Sequence, residues 1–394
     1  MAYIVVLCSG TLGDVRPFIT LATALKSRGN NVLILTNRRY ESECMQAGLL
    51  AEFLDSHSES TEMLADLPNL NTPLRVQHFL KRHIIPRILT AVSILERRSI
   101  HEPHIVTMAF FGLAQLVAER FKAGLTTVFL APDHLAKWET ATAFISLYMR
   151  EEISGLGSQL KIAPIKESTE MFNQKKNCMA LWPAWFEQSK AIHPEVKRVG
   201  FLPTNESPNE LSAQVKNIVE GTPAPILIIG SSGRSVWGKH FFELAAQSCA
   251  MITRPTIMVV QHQNVVPDVL PENVLLVERL FDIRRVMSRC SLVIHHGGIG
   301  TVSDALAAGC PQVILSDGFD RTTNGKIVEL LGAGRVLDVS KCNDQELNAA
   351  IADLNSSREI YEKCTDYSTR IKQQNTADAA CSLIEYPLTG PLAG

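Results

Sequence analysis

The residues best suited to chemistry lie together in one segment, where two histidines precede a glycine-rich turn. His295 and His296 follow an apolar run typical of a buried strand, and Gly297 and Gly298 lead into the start of a helix. Such a turn directs backbone N–H groups and the positive end of the helix dipole towards a ligand. A histidine beside it adds a donor that can be charged. The segment therefore predicts a binding site for an anion such as a diphosphate.

The polar residues that follow allow a structural and a ligand-binding interpretation. Thr301 and Asp304 lie in the first turns of the predicted helix. Asp304 either stabilises the helix dipole or accepts a hydrogen bond from a ribose hydroxyl. Asp320 and Arg321, about one βα unit further on, are either a solvated surface pair or groups that face a sugar.

Two further loops also follow predicted strands. In residues 9–14, Asp14 either caps a helix that begins near Val15 or acts as a general base for an acceptor hydroxyl, and one carboxylate can do both. This loop matches neither the dinucleotide-binding nor the Walker pattern. In residues 230–234, Ser231 and Ser232 either belong to an ordinary turn or supply a second set of phosphate contacts.

The elements around these loops predict an α/β protein made of two doubly wound sheets, each opened by an apolar strand. Two such domains facing each other would enclose a cleft at the carboxyl ends of their strands. A turn-rich segment, 204–223, predicts the linker, with a short helix at 211–220 as one interpretation. The predicted parts are a Rossmann-like domain at 1–205, a second at 222–376, and a tail at 377–394 that could pack back on the first. One long helix is predicted at 356–384.

Composition limits the class of protein. The chain has 394 residues and a formal net charge of −2, so it carries no excess positive charge for nucleic acid. Nine cysteines without paired spacing predict reduced thiols and a cytoplasmic location. The longest apolar stretch, 105–118, is too short to span a bilayer. Peripheral membrane contact stays open, as does the choice between a monomer and a homodimer.

The C-terminal motifs resemble those of the family 1 glycosyltransferases with the GT-B fold. The resemblance lies in HGGIGT from His296, in GCPQ from Gly309, and in Asp320 followed by Asn324. The N-terminal run GTLGDVRPFITLATALKSRGNNV is similar to the opening of bacterial antibiotic and sterol glycosyltransferases and of the rhamnosyltransferases that make rhamnolipids. The similarity spans nearly the whole chain.

This resemblance implies a role for each matching residue. His296 would contact the diphosphate of a nucleotide sugar, with His295 as the less favoured alternative. Asp304 would bind ribose, Asp320 would hold sugar hydroxyls, and Asp14 would serve as base or orient the acceptor. The remaining donor-binding positions on the motif are Gly298, Gly300, Thr301 and Asn324. The reaction implied is inverting transfer from a UDP- or dTDP-sugar without a metal or other cofactor.

Three positions leave the donor sugar, the nucleotide base and the catalytic base open. Arg321 stands where the family usually has Gln, so either its side chain turns away or the donor sugar differs from glucose, for example a deoxysugar or an acidic sugar. Phe281 either stacks on the base or belongs to the core, which leaves UDP and dTDP undistinguished. His134 is a second candidate base.

The expected acceptor is a lipophilic small molecule, either a natural product or a lipid. The segments 57–90 and 134–170 would line its pocket, although their aromatic and apolar residues also fit a core role. These residues are Phe79, Trp138, Phe144, Tyr148 and Met149. Two alternative functions are a nucleotide-sugar 2-epimerase-like enzyme and an inactive auxiliary partner of a glycosyltransferase.

Overall fold

A computed structural model describes residues 3–70, 72–109, 113–162, 177–187, 193–202, 211–230, 237–280 and 282–389. The chain divides into two compact units. The first is formed by residues up to 184, by 189–202 and by the chain from 376 onward, and the second by 185–188 and 203–375.

The first unit contains a seven-stranded parallel sheet in the described part of the chain. Its strands are β1 (Tyr3–Leu7), β2 (Asn31–Thr36), β3 (Leu50–Phe53), β4 (His104–Met108), β5 (Gly124–Phe129), β6 (Cys178–Ala180) and β7 (Lys197–Arg198). Their spatial order is β3-β2-β1-β4-β5-β6-β7, so the direction of winding reverses between β1 and β4. In open α/β sheets, ligands bind outside the carboxyl ends of the strands at such a reversal.

The helices of the first unit follow these strands. They are α1 (Leu12–Ser27), α2 (Glu41–Gln46), α3 (His57–Asp66), α4 (Pro73–Phe79), α5 (Ile85–Arg97), α6 (Ala114–Phe121), α7 (Pro132–Ala136), α8 (Trp138–Tyr148) and α9 (Arg150–Gln159). A π-helical segment, Leu80–Ile84, joins α4 to α5.

The second unit contains a six-stranded parallel sheet among its described residues. Its strands are β8 (Ile226–Ile229), β9 (Thr256–Val259), β10 (Val274–Val277), β11 (Leu292–His295), β12 (Gln312–Ser316) and β13 (Gly334–Asp338). The order β10-β9-β8-β11-β12-β13 is that of a dinucleotide-binding fold, with its reversal between β8 and β11.

Seven helices accompany the second sheet in the described part of the unit. They are α10 (Ala213–Val219), α11 (Gly238–Ile252), α12 (Ile283–Met287), α13 (Ile299–Ala308), α14 (Phe319–Leu330), α15 (Asp344–Ser356) and α16 (Arg358–Lys372). The last helix, α17 (Thr376–Thr389), belongs to the first unit, where Arg28, the C-cap residue of α1, pairs with Asp378 at 2.9 Å and Glu385 at 2.7 Å.

Buried apolar strands account for the position of both cores. The central strands β1 and β8 are buried along almost their whole length, because helices cover both faces of a parallel sheet. Each fully buried aliphatic side chain contributes about 1.5–3 kcal/mol relative to exposure. The cores hold the strands in register and so fix the loops at their carboxyl ends.

The fold class predicted from the sequence is confirmed, since both units are Rossmann-like parallel sheets. Two details of the prediction are wrong. The expected helix over 356–384 is two helices, α16 and α17, because the chain passes from one unit to the other between them. The helix after β1 begins at Leu12 rather than near Val15, because Thr11 occupies its N-cap.

Candidate active site

The glycine-rich turn lies at the carboxyl edge of the second sheet, next to the reversal of strand order. His295, the last residue of β11, is in register with Ile229 of β8 and with Ile314 of β12. The loops after these three strands are therefore neighbours. This edge brings the turn at His296 beside Gly230 and beside the segment that leads into α14.

His295 is enclosed within the protein and holds the turn in place. Its Nδ1 accepts the backbone N–H of Gly297 at 3.1 Å, so its Nε2 carries the proton and donates to Oε1 of Gln312 at 3.0 Å. Burial lowers the pKa of His295 to about 4, although the hydrogen bond with Gln312 acts in the opposite direction. With both nitrogens engaged, His295 acts as a neutral support for the loop.

Gly297 lets the loop pass close to α14. Its φ is +90°, and a Cβ there would lie 2.8 Å from the carbonyl oxygen of Arg321 and 2.9 Å from Ile314. The fully buried Asn324 donates to the carbonyl of Gly297 at 3.0 Å and to Asp320 at 3.3 Å. Asn324 thereby ties the glycine turn to the acidic residue on α14.

His296 faces the start of α13. A Cβ on Gly298, the N-cap residue of α13, would lie 2.6 Å from Nε2 of His296, so the imidazole packs directly on this backbone. The Nδ1 atom is buried and has no hydrogen-bond partner among the described residues. Burial lowers the pKa of His296 well below its usual value, and the nearby Arg321 and His295 lower it further, whereas a polar contact with the backbone of Ile229 opposes them. His296 is therefore neutral at neutral pH.

Arg321 is held by an acidic residue that the sequence interpretation did not include. Its Nη1 lies 2.5 and 2.7 Å from the two carboxylate oxygens of Asp317, which precedes the N-cap residue Gly318 of α14. The sequence signal for this pair is the spacing of four residues, although Asp317 lies before α14 begins. The interpretation of Asp320 and Arg321 as a surface pair is wrong, because Asp320 accepts from Asn324 and Arg321 binds Asp317.

The remaining motif residues lie along α13. Gly300 is exposed and Thr301 half-buried, both in the first turn. Asp304 is buried, and its Oδ1 lies 3.7 Å from Nε of Arg284 on α12. Ser231, Ser232 and Phe281 lie outside the described residues.

In the first unit, the loop after β1 is folded onto the carboxylate of Asp14. Oδ2 of Asp14 accepts the backbone N–H and the hydroxyl of Thr11, both at 2.8 Å. Asp14 is thus the third residue of α1 and completes the cap rather than forming the N-cap itself. Gly10 approaches so closely that a Cβ would lie 2.6 Å from Oδ2.

His134 lies at the same edge of the first sheet, in α7 after β5, and is half-buried. Among the residues expected to line an acceptor pocket, Phe79, Trp138 and Met149 are buried in the core. Phe144 and Tyr148 stack on each other with ring centroids 4.8 Å apart, and Tyr148 is 48% exposed. This pair is therefore the accessible part of the predicted set.

The described residues hold no cluster of three or more potential metal ligands and no helix long and apolar enough to cross a membrane. All nine cysteines are unbridged. The positively charged groups at the glycine turn are the N-terminal end of the α13 dipole and the guanidinium of Arg321.

Comparison with known families agrees with this architecture. Residues 4–133 match the glycosyltransferase family 28 N-terminal domain, and residues 251–383 match the erythromycin biosynthesis protein CIII-like C-terminal domain. The chain is 21% identical to the NDP-glycosyltransferase YjiC of Bacillus subtilis over 95% of this chain and 94% of that protein.

Solved structures share the fold across the whole chain. The glycotransferase of kitacinnamycin superposes with a TM-score of 0.79 at 14% identity, covering 98% of this chain and 99% of its own. The glycosyltransferase VinC, solved in complex with dTDP, gives 0.73 at 15% identity, covering 98% and 100%. The chain therefore has the GT-B fold. The chain belongs to the glycosyltransferases, with a family 28 N-terminal domain and an erythromycin biosynthesis protein CIII-like C-terminal domain.

Proposed function

We propose that this enzyme transfers a sugar, with inversion and without a metal, from a UDP- or dTDP-sugar to a hydroxyl of a lipophilic small molecule. The observation that carries the proposal is the imidazole of His296, whose Nε2 lies beside the start of α13 and whose buried Nδ1 has no hydrogen-bond partner among the described residues. Buried polar atoms are almost always satisfied, so a bound group is the expected partner. A diphosphate at the start of α13 would supply oxygens to the imidazole of His296 and to the backbone at Gly298 and Gly300.

Charge for the leaving diphosphate would come from Arg321 and from the dipole of α13. His296 is neutral in the free enzyme, and the guanidinium near it is permanently charged. Asp317 fixes Arg321 through two contacts and so orients the guanidinium before substrate arrives. Such preorganised charge stabilises a developing anion without a divalent ion.

Asp14 would deprotonate the acceptor hydroxyl, and attack opposite the departing diphosphate would invert the anomeric carbon. The nucleophilic oxygen forms the new glycosidic bond while the bond from the anomeric carbon to the diphosphate breaks. His134, at the same edge of the sheet, is the alternative base. Asp304 and Asp320 would accept hydrogen bonds from ribose and sugar hydroxyls, respectively.

The acceptor proposal is supported by the exposed stack of Phe144 and Tyr148, which offers aromatic surface to an apolar ligand. The C-terminal family model is named for an erythromycin biosynthesis protein, which also favours a natural-product acceptor. If the stack binds the acceptor, alanine at both positions raises the KM of the acceptor and leaves that of the donor unchanged.

The role of Asp14 is tested by comparing Asp14→Asn with Glu346→Gln. Glu346 is a matched control, because its carboxylate also accepts the N-cap N–H of a helix, that of Asn343 at 3.1 Å. We expect Asp14→Asn to lower kcat by about 10²–10⁴-fold with unchanged dTDP binding, as for the loss of a general base. Glu346→Gln leaves kcat unchanged. If both variants lose only thermal stability, Asp14 is a cap and not a base.

The products distinguish the alternative functions. An epimerase-like enzyme releases nucleoside diphosphate and an altered sugar with no glycosylated acceptor. An auxiliary protein binds nucleotide but consumes no donor with any acceptor. Proton NMR of the product shows whether the anomeric configuration has inverted.

A further inference from the structure

A chain of buried polar contacts runs from the loop between β1 and α1, residues 8–11, to Arg87 on α5. We call this loop the Gly10 loop. The backbone N–H of Gly10 donates to Oδ1 of Asn37 at 3.0 Å, and Nδ2 of Asn37 donates to Oδ2 of Asp55 at 2.6 Å. Nε and Nη2 of Arg87 donate to the same oxygen at 3.1 and 2.5 Å. We name Asn37, Asp55 and Arg87 the buried triad.

The buried triad is satisfied at nearly every polar position. Asn37 is fully buried, and the side chains of Asp55 and Arg87 are 2% and 3% exposed. Arg87 also donates to the carbonyls of His83 and Glu59, and Oδ1 of Asp55 accepts the N–H of Arg38 at 2.9 Å. A buried ion pair often contributes no more stability than an apolar replacement of similar size. Stability alone therefore does not explain the buried triad.

A local irregularity of the helix places Arg87. Pro86 has no N–H, and its ring would clash with the preceding turn of an α-helix. The helix widens here into the π-helical segment, where the N–H of Ile85 donates to the carbonyl of Leu80. The carbonyl of His83 accepts from the guanidinium of Arg87 at 2.5 Å. Such π-helical turns are frequent at functional sites.

At its other end, the buried triad contacts the Gly10 loop through Asn37. Besides the bond from Gly10 to Asn37, the hydroxyl of Tyr40 donates to the carbonyl of Gly10 at 2.9 Å. The N–H and the C=O of Gly10 are therefore both held by side chains. The next N–H, that of Thr11, donates to Asp14, so a shift of Gly10 also moves a group bound to this carboxylate.

We propose that Asn37, Asp55 and Arg87 are positioning residues that hold the Gly10 loop and hence the carboxylate of Asp14 in its reactive place. This inference rests on the proposed role of Asp14 as base. The buried triad holds the Gly10 loop in place, and the loop in turn fixes Asp14 at the carboxyl edge of the sheet. A displacement of about 1 Å at a reacting group can lower a rate by about 10²-fold.

Two variants test the inference. Asp55→Asn keeps the shape of the side chain but removes its charge, and the double variant Asp55→Asn with Arg87→Met leaves no charge buried alone. Glu52→Gln is the matched control, because Glu52 binds Arg97 and Arg98 at the end of the same helix α5, but at the surface. Hydrogen exchange of the Gly10 amide and steady-state kinetics are measured for each folded variant.

We expect the variants of the buried triad to exchange the Gly10 amide at least about tenfold faster than wild type, because its hydrogen-bond acceptor loses support. We expect kcat to fall about 10- to 100-fold while the KM of the nucleotide sugar stays within about twofold. Glu52→Gln changes neither. The inference is overturned if exchange at Gly10 is unchanged, or if exchange rises but kcat does not fall.

The proposed function can fail independently. A wild-type enzyme that transfers no sugar, or an Asp14→Asn variant that keeps its kcat, contradicts the role of Asp14. Exchange at Gly10 still decides in that case whether the buried triad holds the loop, because that measurement needs no substrate.

Discussion

The two adjacent histidines of the glycine turn differ because of what surrounds each ring. His295 has both nitrogens engaged, whereas the buried Nδ1 of His296 lacks a partner among the described residues. The motif alone favours His296 as the histidine that contacts the diphosphate. The structural reason is that a residue of the neighbouring strand engages His295. Gln312 holds His295 only because β12 pairs with β11, and no local pattern in the sequence predicts that contact.

Binding of dTDP or UDP at neutral pH is expected to take up protons at His296. The free imidazole is neutral because burial and Arg321 disfavour its charged form, and a contacting diphosphate favours it. Calorimetry in buffers of different ionisation enthalpy measures this uptake. His296→Gln, which cannot titrate, serves as the control. A wild-type binding enthalpy that is independent of the buffer would contradict the proposed contact.

At the scale of elements, the sequence predicts the strands that are continuous apolar runs, which include the central strands and the edge strand β10. The central strands are continuous apolar runs because both their faces are buried. The edge strands β3 and β13 are only partly buried and include charged residues, so their sequences lack this signal. The positioning residues Asn37, Asp55 and Arg87 are also distant in sequence, and only the packing of α5 against the sheet brings them together.

The glycine turn requires glycine at Gly297, whereas the first turn of α13 tolerates alanine at Gly300. Gly297→Ala places a Cβ against the backbone of Arg321 at a φ of +90°, so we expect a loss of about 1–3 kcal/mol in stability and weaker dTDP binding. At the exposed Gly300, a Cβ meets nothing within 4 Å, so Gly300→Ala should raise stability by up to about 1 kcal/mol. Thermal unfolding of both variants measures the difference. Equal effects would show that the turn is not tightly constrained.

At the scale of the whole molecule, each unit buries a neutral histidine inside its sheet. Nε2 of His104 in β4 forms a hydrogen bond of 2.8 Å with the hydroxyl of Thr126. Burial lowers the pKa of His104 to about 4, the same value as for His295. The unfolded chain binds protons at these residues near pH 6.5, whereas the folded chain does not until about pH 4. The stability that these two neutral histidines contribute is therefore fully present above pH 6.5 and is lost as the pH falls from 6.5 to 4.

This difference predicts a decrease in the free energy of unfolding of about 1.4 kcal/mol per pH unit for each of the two histidines between pH 6.5 and 4. His104→Gln, whose amide can still reach Thr126, should reduce the slope in the first unit, and the exposed His57→Gln is its control. Urea unfolding at pH 7 and pH 5 measures the slope. If wild type and His104→Gln lose stability in parallel, the buried histidine does not account for it.

The measurement that tests the central claim most directly is mass spectrometry of a mixture of lipophilic acceptors incubated with UDP- and dTDP-sugars in EDTA. We expect one acceptor to gain the mass of one sugar residue, with release of one equivalent of nucleoside diphosphate, and His296→Ala to lower the rate by about 10²–10³-fold. Consumption that stops in EDTA, or a His296→Ala variant as active as wild type, would contradict the account of how the diphosphate departs.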